Sequence, residues 1–498
     1  MNLNRSLIRV PALLLVLVSG VVAARLIGRA AEPSPAIRVD NSPISRDPQS
    51  GNSYSPVIKQ VAPSVVNIYS THLRYNPLMA DPFFRHFFGS EEVEPKREQW
   101  LGCGIIVAPD GYILTANHVV KGAVEIKVAI QNGTTYSARV VGSDPPTDVA
   151  ILKIDGKNLP AVTLGDSDQL EVGDVVLAIG NPFGIGQTVT RGIISALGRS
   201  LSGFEDEDSG EVRQYQNFIQ TDAAINEGNS GGALVDVRGR LIGINDAIFS
   251  PSHTSAGIGF AVPINLARSV MEGFLREGRV ARGYMGVQSQ DLDAIVASRY
   301  GAPTSEGALV TLVTPGSPAA KGGLLADDVV VGINGKNISS EDNLKVIVSQ
   351  LAPGSEAKLK IFRDGVAKTI AVTLSERPDT PAAAAVSTAD PAAAPAKADA
   401  LTGVEVQDLT PRIRRQLGSD QNLNGALIMN VDRASNSYEG GLRPGDVILE
   451  VNRQAVGSAE EAVRLCRAAR TDNIMVKIWR PDRLGGRIRV LHVDNAKH

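Results

Sequence analysis

The feature that most restricts the fold of this chain is an internal repeat in its C-terminal half. The segment GALVTLVTPGSPAAKGGLLADDVVVGING begins at Gly307, and GALIMNVDRASNSYEGGLRPGDVILEVNR begins at Gly425. They align without a gap at an offset of 118 residues (425 − 307), through Asp328 and its counterpart Asp446. Self-similarity at a fixed offset marks a duplicated structural unit, so this half is predicted to contain two copies of one small domain.

One difference between the two copies bears on backbone conformation. Asp327 stands where the second copy has Gly445. Because glycine adopts backbone conformations that other residues avoid, the aspartate predicts an altered turn in the first copy.

The rest of the chain divides by sequence pattern, because one hydrophobic core does not extend over 498 residues. Many short β-type runs separated by Gly, Asn and Asp predict an all-β barrel or sandwich. It closes with NLARSVMEGFLREG, an amphipathic helix with Leu266, Val270 and Phe274 at every fourth position and Gly278 as its stop. The predicted segments are a signal peptide or anchor (1–30), a flexible segment (31–55), the β domain (56–279), the first repeat domain (280–377), a Pro/Ala-rich linker (378–400) and the second repeat domain (401–494).

The N-terminus has the layout of an export signal. Arg5 and Arg9 precede an apolar run from Val10 to Ala24, which is short for a membrane span. Cleavage after Ala30 gives a free exported protein, and retention of the segment gives a membrane-tethered one; the sequence leaves both open. We expect a periplasmic location in either case, with membrane association if the segment is kept.

Charge and composition argue against several classes of function. The net charge is −3 and lysine and arginine form no basic stripe, so no nucleic-acid partner is expected. The chain lacks a Walker A motif, which argues against nucleotide hydrolysis, and no cofactor is predicted. The two cysteines, Cys103 and Cys466, lie far apart without metal-ligand neighbours. We expect two unbridged, packed thiols and no metal site.

The stretch AINEGNSGGALVDVRGRLIGIN places Ser230 among glycines. A serine on a turn with N–H groups beside it suits an acyl-transfer nucleophile, although an ordinary hairpin turn has the same composition. The nucleophile needs a base and a carboxylate that orients the base. GYILTANHVV supplies His118 at the end of an apolar strand, and DPPTDVAILKI supplies Asp148 just before another. The turn of Gly228, Asn229 and Ser230 is the candidate oxyanion hole, with the N–H groups of Gly228 and Ser230 as donors.

TANHVV, TDVAIL and GNSGG, in this order, resemble the trypsin-like serine proteases, whose fold is a double six-stranded β-barrel. With two PDZ-like repeats behind them, the chain resembles the HtrA family of protease–chaperones from about Ser55 to about Val493. The resemblance implies a mainly β chain with a protease domain followed by two PDZ domains. It implies His118 as general base, Asp148 as its orienting acid and Ser230 as nucleophile. It also implies a homotrimer or a multiple of trimers.

Three features bear on how such a site is switched on. Asn229 is neutral, so it cannot form the ion pair that digestive relatives make between an acid here and a new N-terminus. Arg199, in SALGRS, matches the arginine that relays an activating loop to the oxyanion loop in the family, although an exposed loop arginine looks the same. Glu227 and the acidic segment SLSGFEDEDSGEVRQYQN depart from the family pattern and leave the details of switching open.

The resemblance places Ala247, Ile248 and Phe249 around the primary substrate pocket. An apolar pocket predicts cleavage after small or medium aliphatic residues such as Val, Ala or Ile. A trypsin-like pocket would need a carboxylate, and the neighbours of Asp246 argue against its side chain pointing into the pocket. Upstream, HLRYNPLMADPFFRHFFGSEEVEPKREQW contains two adjacent pairs of phenylalanine, which indicate an interface or a local satellite core. The resemblance matches this segment to a long loop that reaches the active site of a partner subunit.

PDZ-like domains bind an extended C-terminal peptide as an added strand, with a backbone nest for the carboxylate. The candidate loops are Tyr284, Met285, Gly286 and Val287 in the first repeat, and Leu401, Thr402, Gly403 and Val404 in the second. The alternative is a loop that closes the domain without binding a ligand, above all in the second repeat.

The sequence therefore predicts an ATP-independent serine endopeptidase that degrades misfolded or damaged envelope proteins. Its PDZ domains would capture the C-termini of substrates or activators. Two alternatives are a chaperone or scaffold without proteolysis, and a signalling protease that cuts one envelope target.

Overall fold

A computed structural model describes residues 53–74, 96–181, 186–200, 215–226, 228–248, 257–378, 401, 403–417, 423–469, 473–482 and 486–494. For Arg74, Ala247 and Ile248 the description covers the backbone alone. Outside it lie the predicted signal peptide, almost all of the flexible segment and of the linker, most of the phenylalanine-rich segment, residues 201–214, Glu227, Phe249 and Thr402. Within the described residues, no helix combines the length and apolarity needed to cross a membrane.

The N-terminal domain is built almost entirely from strands. The strands of its first half are β1 (Val65–Arg74), β2 (Lys96–Ile106), β3 (Tyr112–Ala116), β4 (Glu125–Ala129), β5 (Thr135–Asp144) and β6 (Val149–Ile154). Those of its second half are β7 (Thr163–Leu164), β8 (Val175–Gly180), β9 (Thr188–Arg199), β10 (Phe218–Thr221), β11 (Ala233–Asp236), β12 (Arg240–Ile248) and β13 (Gly259–Pro263). The helices are α1 (Ser55–Val61), α2 (Asn117–Val120) and α3 (Ile264–Glu277), with 3₁₀ turns at Ala62–Ser64, Pro145–Thr147 and Ser167–Gln169.

The strands form two closed barrels. The first has the order β1-β2-β3-β6-β5-β4 and closes because β1 pairs with β4. The second has the order β11-β8-β9-β10-β13-β12, closes through β11 and β12, and carries β7 beside β12. Each interior is apolar, with Ile113 and Leu152 buried in the first barrel and Ile194 and Ile219 in the second. The predicted double six-stranded barrel is confirmed.

Helix α3 closes the domain as the sequence predicts. Leu266 and Val270 are buried in an apolar cluster that contains residues of both barrels, and Phe274 packs against that cluster. A Cβ atom at Gly142 on β5 would lie 2.3 Å from the Phe274 ring, so glycine is what lets the helix approach. Gly278, at φ +69°, ends the helix by donating its N–H to the carbonyl of Phe274.

The C-terminal half contains two copies of one fold. The first consists of β14 (Gly283–Tyr284), β15 (Val287–Asp291), α4 (Ala294–Arg299), β16 (Ala308–Val313), α5 (Pro318–Lys321), β17 (Val329–Ile333), β18 (Lys336–Asn337), α6 (Glu341–Gln350), β19 (Glu356–Arg363), β20 (Val366–Thr373) and β21 (Ser375–Glu376). The second consists of β22 (Val404–Asp408), α7 (Pro411–Gln416), β23 (Ala426–Val431), α8 (Asn436–Glu439), β24 (Val447–Val451), β25 (Gln454–Ala455), α9 (Ala459–Ala468), β26 (Asn473–Arg480) and β27 (Arg487–Asp494). Their main sheets have the equivalent orders β15-β16-β17-β19-β20 and β22-β23-β24-β26-β27.

The repeated aspartate has the same structural role in both copies. The Asp328 carboxylate accepts hydrogen bonds from Nε and Nη2 of Arg363 at 2.6 and 2.7 Å. Asp446 accepts the equivalent pair from Arg480, both at 2.7 Å. Both carboxylates are almost fully buried, and a bidentate guanidinium satisfies them better than a single donor could.

The turn at Asp327 is not altered, so that prediction is wrong. Asp327 has φ +74° and Gly445 has φ +94°, and their N–H groups donate to the equivalent carbonyls of Val310 and Ile428. The aspartate therefore accepts the left-handed conformation that glycine takes in the second copy, at a cost of order 1 kcal/mol. An aspartate here makes a contact that glycine could not make, because its Oδ1 accepts a hydrogen bond at 3.0 Å from Nζ of Lys477 in the second repeat domain.

Lys477 is an unusual interface residue, since only 8% of its side chain is exposed. Its ammonium also lies 3.3 Å from Oε1 of Glu450 in its own domain. A buried ammonium is stable only when it is paired, so Asp327 supplies part of the compensation that keeps Lys477 inside the interface.

Two glutamines on β15 hold the edge of β27. Gln288 accepts from the N–H of Ile488 at 3.0 Å and donates to the carbonyl of Gly486 at 3.2 Å. Gln290 accepts from the N–H of Val490 at 2.7 Å and donates to the Val490 carbonyl at 3.0 Å. The amide side chains thus satisfy backbone groups that a sheet edge would otherwise expose. This ladder and the Asp327–Lys477 pair join the two repeat domains.

We expect Asp327→Gly to loosen this junction while leaving the first repeat domain folded, because Gly445 adopts the same turn. The outward N–H groups of Ile488 and Val490 should exchange with deuterium about tenfold faster, equivalent to about 1.4 kcal/mol of lost docking free energy. Hydrogen exchange read by NMR measures this residue by residue.

Asp364→Gly is the matched control. Asp364 also has a positive φ, at +49°, and pairs with Arg453 of the second repeat domain, but both side chains are well exposed. Exposed pairs contribute little, so exchange at Ile488 and Val490 should stay unchanged. Equal effects of the two substitutions would contradict a special role for the buried pair.

The first repeat domain also packs on the loop that precedes Asp148. Arg282 pairs with Asp144 at 2.5 Å, and both side chains are largely buried. The same guanidinium lies 4.7 Å from the centre of the Tyr215 ring, and Arg377 donates to the Tyr215 hydroxyl. Asp144 is the last residue before the 3₁₀ turn that leads into Asp148. The position of this domain is therefore physically connected to that turn.

Candidate active site

Strand pairing brings His118 and Asp148 together. Ala116 on β3 pairs with Val149 on β6, so the residues just beyond these strand ends meet. The N–H of His118 donates to Asp148 Oδ1 at 2.9 Å, and His118 Nδ1 lies 2.6 Å from Asp148 Oδ2. Two contacts to one carboxylate fix both the backbone and the ring of the histidine.

The backbone at Asp148 is unusual for a residue with a side chain. It follows the 3₁₀ turn Pro145–Thr147 with φ +55° and ψ +38°, in the left-handed region. Aspartate tolerates this region better than most residues. The side chain is 4% exposed, whereas that of His118 is 40% exposed. The pair therefore has a buried carboxylate and an imidazole open to solvent, as a base that meets a substrate requires.

Ser230 lies on a glycine turn that fits tightly against β2. The N–H of Cys103 donates to the Ser230 carbonyl at 2.9 Å. Gly231 has φ +81°, and a Cβ atom there would lie 2.1 Å from the carbonyl oxygen of Cys103. Only glycine satisfies both the torsion and the space. The Ser230 hydroxyl donates to the backbone carbonyl of Asp246 at 2.9 Å.

The backbone hydrogen bonds of this turn show which of its N–H groups already have an acceptor. The backbone N–H groups of Asn229, Gly231 and Gly232 donate to the backbone carbonyls of Asn226, Asn245 and Asn229, respectively, at 2.8 to 3.0 Å. In the described part of the turn, none of these bonds uses the N–H of Gly228 or Ser230. Those two groups are the expected oxyanion donors, while the Asn229 N–H holds the turn itself. Their catalytic role stays a prediction.

Cys103 supports the turn from behind. Its thiol donates to the Gly228 carbonyl at 3.1 Å, and the N–H of Asn181 donates to its sulfur at 3.1 Å. Burial raises the pKa of this thiol to about 11, so it stays protonated and unreactive at neutral pH. Cys466 is buried too, and its thiol pKa is raised to about 12. Both cysteines are unbridged, as the sequence predicts, but the contacts of Cys103 to the nucleophile turn were not foreseen.

The position of the Asp246 side chain beside His118 was not predicted, because the sequence addressed only whether this carboxylate lines the substrate pocket. The side chain is fully buried, and Oδ1 lies 3.8 Å from His118 Nδ1. Strand β12 contacts β3, and this brings the carboxylate to the histidine despite the apolar residues around it in sequence. Residue type gave no signal of this contact, because the strand RLIGINDAI contains Arg240 and Asn245 as well.

The remaining protease residues are placed as follows. Ala247 and Ile248 end β12, where they pair with Phe260 and Gly259, and their side chains lie outside the description, as does Phe249. Arg199 ends β9, is exposed, and donates through Nε to Gln220 at 3.2 Å. The pocket and regulatory assignments stay predictions.

The two candidate peptide-binding loops have the same geometry. Gly286 has φ +83° and Gly403 has φ +74°. A Cβ atom at Gly286 would lie 2.3 Å from Ser317 Cβ, and one at Gly403 would lie 2.8 Å from Asp432 Cβ. Each glycine thus permits close packing of the loop.

Apolar residues flank these glycines, and strands β15 and β22 follow. Met285 and Leu401 are buried, Val404 is fully buried and Val287 is half-buried. The first loop leads into β15, which contacts helix α6. Thr402 lies outside the description.

Three segments match known domain families. Residues 102–244 match the trypsin-like peptidase domain, and residues 283–374 and 427–480 each match a PDZ domain. Fold and site together define a trypsin-like serine endopeptidase with two PDZ domains.

The chain is 41% identical over 403 residues to the probable periplasmic serine endoprotease DegP-like of Chlamydia muridarum, covering 80% of this chain and 77% of that protein. It is 39% identical over 433 residues to the Pseudomonas putida protein of the same name, covering 83% and 88%. A solved structure of the HtrA-type protease AlgW with tripeptide is 44% identical, with a TM-score of 0.51 over 66% of this chain and 98% of that chain. The chain belongs to the HtrA family of DegP-like serine endoproteases.

Proposed function

We propose that this protein is a periplasmic, ATP-independent protease that degrades unfolded or damaged envelope proteins. The observation that carries the proposal is the His118–Asp148 pair beside the glycine turn of Ser230, in a trypsin-like domain joined to two PDZ domains. The periplasmic names of its relatives and the export layout of residues 1–30 support the location.

Catalysis starts with a rotation of the Ser230 side chain. In the resting arrangement the hydroxyl donates to the Asp246 carbonyl. Rotation to Nε2 of His118 lets the imidazole take the hydroxyl proton while Oγ bonds to the scissile carbonyl carbon. The N–H groups of Gly228 and Ser230 stabilise the negative oxygen of the tetrahedral intermediate.

Asp148 then stabilises the imidazolium and holds its Nδ1 proton, so that Nε2 delivers its own proton to the leaving amine. A water molecule attacks the acyl-enzyme by the same route in reverse, giving up its proton to His118. Ser230 recovers its hydroxyl proton when the acid product leaves. Apolar residues at Ala247, Ile248 and Phe249 favour aliphatic side chains on the acyl side of the cleaved bond.

The PDZ domains supply chain ends to this site. A C-terminal peptide adds as a strand along β15, with its carboxylate on the loop of Tyr284, Met285, Gly286 and Val287. The HtrA-type protease AlgW has been solved with a tripeptide, which supports peptide capture in this fold. A binding module on the same chain raises the effective concentration of substrate at the catalytic site. On the family resemblance, the working unit is a homotrimer or a multiple of trimers, which sedimentation equilibrium measures.

The test compares one substrate in two states: native lysozyme, and lysozyme reduced and carboxymethylated so that it stays unfolded. We expect hydrolysis of the unfolded form without ATP and at least tenfold slower hydrolysis of the native form. Mass spectrometry of the products should find most cuts after Val, Ala or Ile.

Each other outcome has a definite meaning. Cuts mainly after Lys or Arg would overturn the pocket assignment, and equal hydrolysis of both forms would overturn selectivity for unfolded chains. Binding without hydrolysis would favour the chaperone alternative. Resistance of both forms together with cleavage of one native envelope protein would favour the signalling protease.

A further inference from the structure

Asp246 contacts two members of the proposed catalytic group. Its backbone carbonyl accepts a hydrogen bond from the Ser230 hydroxyl at 2.9 Å. Its carboxylate oxygen Oδ1 lies 3.8 Å from Nδ1 of His118, and none of its side chain is exposed. A buried carboxylate at this place acts on the imidazole far more strongly than one in water.

The histidine is therefore approached by two carboxylates from two different elements. Asp148, at the start of β6, takes the short contact of 2.6 Å to Nδ1, and Asp246 comes from β12. One ring nitrogen of His118 and one carboxylate oxygen from each of Asp148 and Asp246 all lie within 4.8 Å of one another. The neighbouring turn adds the neutral hydroxyl of Ser230, and β2 adds the thiol of Cys103, which burial keeps neutral.

We propose that the Asp246 carboxylate acts on His118 together with Asp148, so that the base of this protease is stabilised by two acids. Because 3.8 Å exceeds hydrogen-bond length, the second acid acts through its charge and not by holding the ring. Asp246 acts on the reaction only through His118, and the inference rests on the proposed role of His118 as general base.

The sign of the effect follows from charge. A nearby carboxylate favours the charged imidazolium, so removing it lowers the pKa of His118. Since the base must be neutral to accept a proton, activity is lost as pH falls through that pKa. In Asp246→Asn the acid limb of kcat/KM should move down by about one pH unit. The plateau should fall about tenfold, because the transition state contains an imidazolium that has lost a counter-charge.

The experiment measures kcat/KM between pH 4.5 and 9 on a fluorogenic peptide cut after Val. The variants are wild type, Asp246→Asn and Asp246→Thr, and each is normalised to the sites titrated by a fluorophosphonate. Asp236→Asn is the matched control, since Asp236 is a buried acid on the adjacent strand β11 that pairs with Arg240. We expect its acid limb to coincide with that of wild type.

If an Asp246 variant folds and the acid limb of its kcat/KM profile coincides with that of wild type, the inference is overturned, even if activity falls. A purely structural role would lower the number of active sites without moving the acid limb. An equal shift in Asp236→Asn would overturn it too. If wild type were no more active than Ser230→Ala at any pH, the proposed function itself would fail, which is a different result.

Discussion

Ser230→Ala should lower kcat/KM for unfolded protein substrates by about 10⁵-fold or more, because no other group replaces the attacking oxygen. The substitution removes one hydroxyl and leaves the turn intact, since the bond from the Cys103 N–H uses the backbone carbonyl of residue 230 and Gly231 keeps its torsion. Steady-state hydrolysis of casein measures the loss, and the thermal transition should stay within a few degrees of wild type.

Ser269→Ala provides the control for this result. Ser269 lies on α3, and its hydroxyl donates to the Leu266 carbonyl of the same helix. Its activity should equal that of wild type. If Ser230→Ala and wild type hydrolysed casein at the same rate, nucleophilic catalysis by this serine would be excluded.

Asp148→Asn is expected to have the second largest effect, a loss of about 10⁴-fold in kcat. An asparagine keeps an acceptor for the His118 N–H and tolerates φ +55°, so the fold should survive. Its amide nevertheless lacks the charge that stabilises the imidazolium. When its NH₂ group faces Nδ1, it also selects the tautomer with the proton on Nε2, which cannot accept the serine proton.

Pre-steady-state kinetics on an activated ester checks this prediction, because it reports acylation directly. Asp364→Asn is the control: it makes the same chemical change at another aspartate with positive φ, in the first PDZ domain. Acylation of Asp148→Asn within tenfold of wild type would show that His118 does not need this carboxylate.

The motifs in the sequence were sufficient to predict most of the fold. The double barrel, the closing helix α3 and the duplicated C-terminal domain all follow from patterns along the chain. The trio His118, Asp148 and Ser230 was proposed from motif order, and the structure places the first two in contact. The distance is short because Ala116 and Val149 are partners on adjacent strands, a register that no local pattern specifies.

Three residues make tertiary contacts that could not be predicted from the sequence. Asp327 was expected to change a turn, but it keeps the turn and pairs with Lys477 of the other domain. Asp246 was considered only as a residue of the substrate pocket, and its burial beside His118 was not predicted. The sequence predicts Cys103 only as a packed thiol, but the thiol also donates a hydrogen bond to the Gly228 carbonyl. In each case the contact joins elements distant in sequence, so residue type and spacing carried no information about it.

The sequence by itself determined where helix α3 ends and that one domain occurs twice. The helix end follows from torsional preference and apolar periodicity, which act over a few residues, and the duplication follows from direct comparison of two stretches of the sequence. Only the tertiary structure decided which charges surround His118 and which lysine Asp327 meets. The electrostatic environment of a buried group is set by whatever the fold packs against it, and that depends on strand register and domain contact.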